Sequence, residues 1–526
     1  DKAYYYEDAM NDPAITPTTK ELECTFGYVY LAFCVWLWNL RISYPDEEIY
    51  LAFIDISSCF RWPRICPDLI GAFGFVIGQI YFAANAMVFG SVVSASTWEP
   101  FRRAIAALAT GLYDTAGLVE KHAKLLSLVK WVRSVDGSVR FARATACGLN
   151  PGVFDSDGKR KPTPHWIYVD DNLLADILSG MRKTLAAAVE AIFTVLGRPK
   201  TDLRKCAVAL DKWEKLVVSY RLVLLGLEFN TRLMTVGILR DNEQYLINVS
   251  SQFRAMMKRT KLRLLPDSPD RDVREVRFAA RQTARKVHRC KQTFTICATL
   301  REELAFITAL LDDWEIPLCT PIGHIVPREP RWTIAGDACT SGGGGWSTDL
   351  RVWWHWDFTE EIIRRAALGK RNSRRISINV LETVVIIINY AAAMYACHID
   401  GLPLDDFPVL LNLCDNTSAC SWINKRCRDS LIGRRLGRMF AGMLLNNALG
   451  IQAEWLSTHA NVIADEVSRV KRQDGGDYDY SQLLSRFPEL QSCRRFHPSP
   501  TLLSLISSVL VDNVSPDPLM LSKLEP

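Results

Sequence analysis

Tyr168-Val169-Asp170-Asp171 limits the local fold more than any other stretch of this chain. The lead-in Trp166-Ile167-Tyr168-Val169 is aromatic and β-branched and Asn172 follows, so residue preference predicts a strand, a tight turn and a second strand. Successive strand side chains point to opposite faces, and a turn is what lets two adjacent aspartates aim at one place. A solvated surface loop would explain a lone Asp-Asp pair. A third carboxylate argues against it: Asp55 ends the uncharged run Ile49-Tyr50-Leu51-Ala52-Phe53-Ile54. Hard divalent ions take oxygen ligands, and a pair of them clamps the attacking and leaving oxygens of a phosphoryl transfer when carboxylates converge from separate rigid elements. Asp55, Asp170 and Asp171 supply such a set.

Asp55-Ile56-Ser57-Ser58-Cys59-Phe60 resembles the first catalytic motif of reverse transcriptases, and Tyr168–Asp171 resembles their YxDD box. Between them, Phe89-Gly90-Ser91 through Ser94 and Trp98-Glu99-Pro100 resembles the glycine- and serine-bearing motif that positions template and incoming base. Leu224-Leu225-Gly226-Leu227-Glu228-Phe229 resembles the primer-grip hairpin. The resemblance implies a metal-dependent polymerase site on Asp55, Asp170 and Asp171, with Gly90 at the nucleotide. It also implies that Val169 and Tyr168 support the turn and face the primer end. Phe60 falls where the family places an aromatic gate against ribose 2′-hydroxyls; a core phenylalanine beneath Trp62 is the other reading.

The second half carries an independent series. Trp332 to Asp337 reads as a strand ending in a carboxylate, followed by a polyglycine turn, Gly342–Gly345, and Trp346. Leu381-Glu382 opens an apolar helical run to Ala396. Leu410 to Asp415-Asn416 is another strand ending in a carboxylate, and Asn461-Val462-Ile463-Ala464-Asp465 places a fourth at a helix start, continuing to Ser468-Arg469. The order Asp, Glu, Asp, Asp resembles the ribonuclease H domain of gypsy, DIRS-like and pararetroviral polyproteins. That resemblance implies that Asp337, Glu382, Asp415 and Asp465 hold two magnesium ions, with Mn2+ as an alternative, and that they hydrolyse the RNA strand of a hybrid. His459 precedes Asp465 on a loop, either solvated or helping product release.

A chain of 526 residues exceeds one core and predicts two or three domains. Hydrophobic content of 48% with 23% charged residues excludes a disordered chain, and a net charge of +5 does not indicate a uniformly basic coat. Arg274, Arg277, Arg281 and Arg285 recur at helical spacing, either as a solvated face or as a phosphate-tracking one. Their place between the two motif sets favours phosphate. Fifteen cysteines contain no C-x-x-C pair and no zinc-ligand cluster with histidine, so Cys59, Cys66, Cys339 and Cys414 read as small core residues in a reducing, intracellular compartment, cytoplasm or nucleus. Leu69–Trp98 is uncharged and long enough to cross a membrane. Its Gly, Ala and Ser content, with Gln79 and Asn85, instead predicts a buried pair of helices. Phe26–Leu40 reads as a further buried helix, and no membrane partner is expected.

The expected fold class is α/β (α+β): a right-hand polymerase palm and thumb with truncated fingers, then a ribonuclease H-like mixed sheet. The expected division is a remnant over 1–48, a palm over 49–230, a basic helical thumb and connection over 231–311, a linker over 312–330, the ribonuclease H-like domain over 331–470 and a tail over 471–526. Within the palm, Phe101–Val132 is expected as an inserted helical segment. The resemblance to DIRS-like reverse transcriptase–ribonuclease H polyproteins covers roughly residues 40–510. The family's basic fingers precede the palm, yet 54 residues precede Asp55 here, and no H-x-x-R recombinase box, D-[ST]-G protease motif or paired His/Cys module occurs. The sequence thus reads as a segment of a larger or decayed polyprotein whose start lies upstream of Asp1. Two functions follow. One is an RNA-directed DNA polymerase with ribonuclease H activity, acting on RNA template, DNA primer, RNA:DNA hybrid and deoxynucleoside triphosphates. The other is a non-catalytic nucleic-acid-binding relic. Truncated fingers would let hybrid cleavage outlast polymerisation.

Overall fold

The computed structural model describes residues 26–64, 74–77, 80–83, 86–87, 92–132, 140–145, 152–199, 206–213, 215–238, 250–251, 254, 261–263, 293–295, 298–312, 318–369, 372, 374–425, 430–445, 447–470 and 479–515. Gly90, Cys66, the arginine series 274–285 and Gln473–Asp477 lie outside the described residues. Helices and sheets mix in two compact units, Asp1–Ile238 with Pro321–Arg328, and Leu239–Thr320 with Glu329–Pro526.

The first unit is built on a three-stranded antiparallel sheet of β1 (Ile49–Asp55), β4 (Trp166–Tyr168) and β5 (Asp171–Ile177), with β5 in the centre. Strand alternation sends Ala52, Ile54, Ile167 and Leu174 into a core shared with α2 (Val92–Leu112) and α3 (Leu178–Leu196). α1 (Phe26–Ser43) lies against β4 and β5, with Phe33 and Trp36 in ring contact with Trp166. This is the buried helix expected over 26–40. Its end is fixed by Arg41, fully buried, whose guanidinium donates to the carbonyls of Tyr44, Pro45, Glu47 and Thr231. The inserted helical segment is present as α2 and two short turns of helix, Leu118–Lys121 and Ala123–Leu126.

The expected pair of helices over 69–98 is corrected. Gly74–Ile77 (β2) and Ile80–Ala83 (β3) form an antiparallel hairpin, and α2 starts at Val92. A short, continuous apolar run does not reveal its period, and the aromatic and β-branched residues Phe75, Val76, Ile77, Ile80, Tyr81 and Phe82 favour the strand. Part of the span expected as a linker, Pro321–Arg328, groups with the first unit. There Ile322 donates to the Met234 carbonyl at 2.7 Å, next to the antiparallel strands β6 (Arg221–Leu224), β7 (Leu227–Asn230) and β8 (Thr235–Gly237), and Arg328 lies 4.6 Å from the centre of the Trp38 ring.

On α3, burial would raise the Glu190 carboxyl. Hydrogen bonds from Arg198, Lys121 and His122 outweigh it and bring the group from 4.5 down to about 2. A depressed carboxyl stabilises the fold above its unfolded value, and that contribution is lost as pH falls from about 4.5 towards 2. Acid titration of melting temperature is therefore expected to fall less steeply through that window for Glu190→Gln than for the parent. Parallel curves would remove Glu190 from the acid response.

The second unit carries a six-stranded sheet in the order β13–β12–β9–β10–β11–β14. These are β9 (Trp332–Ala338), β10 (Gly342–Ser347), β11 (Val352–Asp357), β12 (Val409–Cys414), β13 (Gly450–Trp455) and β14 (Arg494–Arg495). β9, β10 and β11 are antiparallel neighbours, while β12 runs parallel to β9, β13 to β12 and β14 to β11. α5 (Ile378–Ile399) packs against β9, β10 and β12. Among the described residues it is the one helix long and apolar enough to cross a membrane, and 89% of its apolar window is buried in this core. A buried polar relay ties it to the sheet: Trp354 Nε1 donates to Asn389 Oδ1 and Asn389 Nδ2 to Asn412 Oδ1, both at 2.8 Å. α6 (Thr417–Lys425) packs on α5 and β13, and α4 (Ala298–Asp312) joins this unit through Glu302, which pairs with Arg435 and Arg438 of α7 (Leu431–Leu445).

The polyglycine segment is corrected from a turn to an interior strand. Residues 339–341 make the turn, and Gly342–Ser347 is β10, flanked by β9 and β11. Glycine is needed there for close approach. A Cβ on Gly344 would meet Val467 Cγ1 at 2.5 Å, and one on Gly343 would meet Val385 Cγ2 at 2.7 Å, so helices press on the strand from both faces. Past residue 479 the chain also joins this core. β14 extends the sheet, and α9 (Pro500–Ser507) buries Leu502 and Ile506, followed by Val509 and Leu510.

Candidate functional site

In the first unit, Asp55 and Asp171 are direct cross-strand partners of β1 and β5. Paired residues have Cα atoms about 4.5–5.5 Å apart and project from one face, so the carboxylates are neighbours. Tyr168 pairs with Asp171 across the β4–β5 hairpin, leaving Val169 and Asp170 as a two-residue loop. Val169 takes φ +58°, a left-handed conformation unusual for a β-branched residue. Two bonds hold the loop: Trp98 Nε1 donates to the Val169 carbonyl at 2.6 Å, and the Ile56 amide donates to the Asp170 carbonyl at 2.9 Å.

Burial first, then the neighbouring Asp170 and Asp55 charges, push the Asp171 carboxyl up to about 6. Asp170 is raised too, chiefly by burial with a contribution from Asp55. The Cys59 thiol behind them is driven up to about 12 by burial and by the Asp170 charge. Lys212 Nζ lies 2.9 Å from Asp55 Oδ1 and partly offsets this concentration of negative charge. Neither Lys212 nor the Trp98 clamp was expected from sequence, since each meets its partner across a large separation in the chain. Tyr168 is 39% exposed beside the carboxylates, whereas Phe60 is 7% exposed and belongs to the core with Trp98 and Ile54.

The strained loop yields a test. Val169→Gly relieves about 1–3 kcal/mol of left-handed strain against a glycine entropy cost of about 0.5–1 kcal/mol. The melting temperature of the variant is expected to equal or exceed that of the parent. A clear drop would show that Val169 packing outweighs the strain.

In the second unit the four carboxylates gather at one end of the sheet. Asp337 comes from β9, Asp415 from just beyond β12, Glu382 from the second turn of α5 and Asp465 from α8 (Val462–Ser468). Glu382 is 2% exposed and accepts from the Ala338 amide at 3.2 Å. Burial first, then Asp337 and Asp415, hold its carboxyl well above the ordinary range. Asp337 is pushed up to about 6 by burial, and Asp415 and Asp465 add to the shift although Ser468 Oγ donates to it at 2.9 Å. Thr458 Oγ1 donates to Asp415 Oδ2 at 2.9 Å, Trp455 Nε1 donates to the Asp415 carbonyl at 3.1 Å, and Arg469 pairs with Asp465 at 2.5 Å. Asn461 Nδ2 anchors the start of α8 to the Gly336 carbonyl at 3.1 Å. His459 is exposed on the preceding turn.

Cys414 is buried as expected, but it is more than core filling. Its Sγ lies 3.5 Å from Glu382 Oε2, and one ligand atom from each of Glu382, Cys414 and Asp415 falls within 4.8 Å of the others. Both clusters present hard oxygen donors from separate elements, the donor type that divalent ions take.

No family model matches the chain, and no curated protein does. Among solved structures, the chain is similar to the foamy viral protease–reverse transcriptase in complex with an RNA/DNA hybrid, at 10% identity and TM-score 0.28, covering 84% of this chain and 47% of that one. It is also similar to the same foamy viral protein in complex with double-stranded DNA, at 14% identity and TM-score 0.25, covering 78% and 68%. The chain spans about half the length of the first of these.

Proposed function

We propose that the chain is a nucleic-acid enzyme with two metal-dependent phosphoryl-transfer sites, an RNA-directed DNA polymerase and a ribonuclease H, of the kind found in DIRS-like retrotransposons. One observation supports the reading above the others: Asp55 faces Asp171 across two strands with Asp170 on the adjoining loop, and Glu382, which accepts from the amide next to Asp337, comes together with Asp415 at the end of the second sheet. A surface carboxylate has no reason to be buried against two others.

In the first unit, Asp55, Asp170 and Asp171 hold magnesium, and exposed Tyr168 faces the primer end. In the second, Asp337, Glu382, Asp415 and Asp465 hold the ions over the RNA strand. Bound ions would activate the attacking oxygen and stabilise the leaving one. The chain's own work is positional. The Trp98 bond keeps the Asp170 loop rigid, Ser468 orients Asp337, and Thr458 orients Asp415.

Primer extension on primed RNA, and cleavage of labelled RNA within a hybrid, test the two sites separately. Asp171→Asn is expected to abolish extension and spare cleavage, while Asp415→Asn does the reverse. Full-rate activity in either variant would remove that residue from its metal set. A parent that binds hybrid but performs neither reaction would leave a nucleic-acid-binding protein.

A further inference from the structure

The inward face of β12 is read by α5 at two levels. Asn412 meets Asn389, and two residues along the strand, on the same face, Cys414 meets Glu382. The thiol is therefore aimed at a carboxylate. Cys414 is 1% exposed and Glu382 2%, while Asp415 is half-buried and gives the group an opening to solvent. Magnesium takes oxygen ligands at near-ideal octahedral geometry and gains nothing from sulfur. Zinc and cadmium accept sulfur and oxygen together, and three protein ligands with one open position is a familiar arrangement for such ions.

We propose that Glu382, Cys414 and Asp415 form a binding site for a thiophilic divalent ion of the zinc and cadmium class. Because this site shares Glu382 and Asp415 with the proposed magnesium set, the two kinds of ion exclude one another, and the softer ion inhibits hydrolysis. On binding, the Cys414 thiol releases its proton to solvent and a sulfur–metal bond forms without change of oxidation state. Binding stands on geometry alone, and only the inhibition rests on the nuclease reading.

The probe is cadmium titrated into the metal-free full chain, read by the ultraviolet thiolate-to-cadmium charge-transfer band. Because the Cys420 thiol neighbours that of Cys414, all proteins compared carry Cys420→Ala, and in that background Cys414→Ser and Cys414→Ala are each expected to lose one equivalent of that band. Unchanged stoichiometry in folded variants overturns the site. If neither variant folds, the carboxylates decide: Glu382→Gln and Asp415→Asn are each expected to weaken the cadmium affinity of one equivalent of the band by about tenfold or more, and unchanged affinity in both overturns the proposal. Cadmium binding lost with Cys414 in a parent that cleaves no hybrid supports the site and removes the nuclease reading. Cleavage inhibited by cadmium equally in parent and Cys414→Ala, with the band also equal in the two, removes the site and leaves the nuclease.

Discussion

Glu382→Gln is expected to abolish hybrid hydrolysis while leaving the second unit as stable as the parent, or more so, in the absence of divalent ions. A metal-ligating carboxylate contributes several kcal/mol to the transition state, so its loss lowers the rate by about 10³-fold or more. The stability effect has the opposite sign. Glu382 is held well above the usual carboxylate range by burial and by Asp337 and Asp415. A carboxyl raised in the fold stabilises at low pH, and that contribution is lost as pH rises through its folded value. The same holds for Asp337, whose window runs from 3.8 to about 6. At neutral pH the glutamine variant escapes the penalty. On the proposed reading magnesium binds the folded chain and not the unfolded one, so it should raise the melting temperature of the parent; in the variant that rise should shrink or vanish. An equal magnesium-induced shift in both proteins would remove Glu382 from the metal set.

Replacing Gly345 by alanine should destabilise the second unit by about 3 kcal/mol or more, from overpacking together with loss of buried hydrogen bonds. The added Cβ would stand 2.0 Å from Asn389 Oδ1, 2.7 Å from Trp354 Nε1 and 3.0 Å from the Ala335 carbonyl. Asn389 cannot swing aside cheaply, because it accepts from Trp354 and donates to Asn412, and both asparagines are fully buried. Gly369, with no atom within 4 Å of its Cβ position, is the control, and its alanine variant should stay within about 1 kcal/mol of the parent. Urea unfolding separates the two. Superimposable midpoints for Gly345→Ala and the parent would mean that strand β10 and helix α5 are not packed as described.

The strands that end in carboxylates were legible in the sequence. An apolar run closed by an acid carries both its period and its stop, and β1, β9 and β12 fall as expected. Gly342–Gly345 reads locally as a turn because glycine's local preference is for turns. The reason for glycine here lies in Val385 and Val467, which no local window contains. The hairpin at 74–83 was lost to the ambiguity of short apolar runs. Cys414 was legible as buried, but its alignment with Glu382 required knowing which turn of α5 faces β12. β14 has only two residues and leaves no periodic signal at all.

The edge strand at Arg494–Arg495 and the helix at Pro500–Ser507 have a consequence for synthesis. On the ribosome, domains generally fold as units in the order in which they emerge. Here β11 waits for a partner made some 140 residues later, and the apolar residues that α9 covers stay open until Leu510 has left the exit tunnel. The first unit, too, closes only when Pro321–Arg328 arrives to meet Met234 and Trp38. Nascent chains arrested between these two points should therefore carry a folded first half and a chaperone-dependent second.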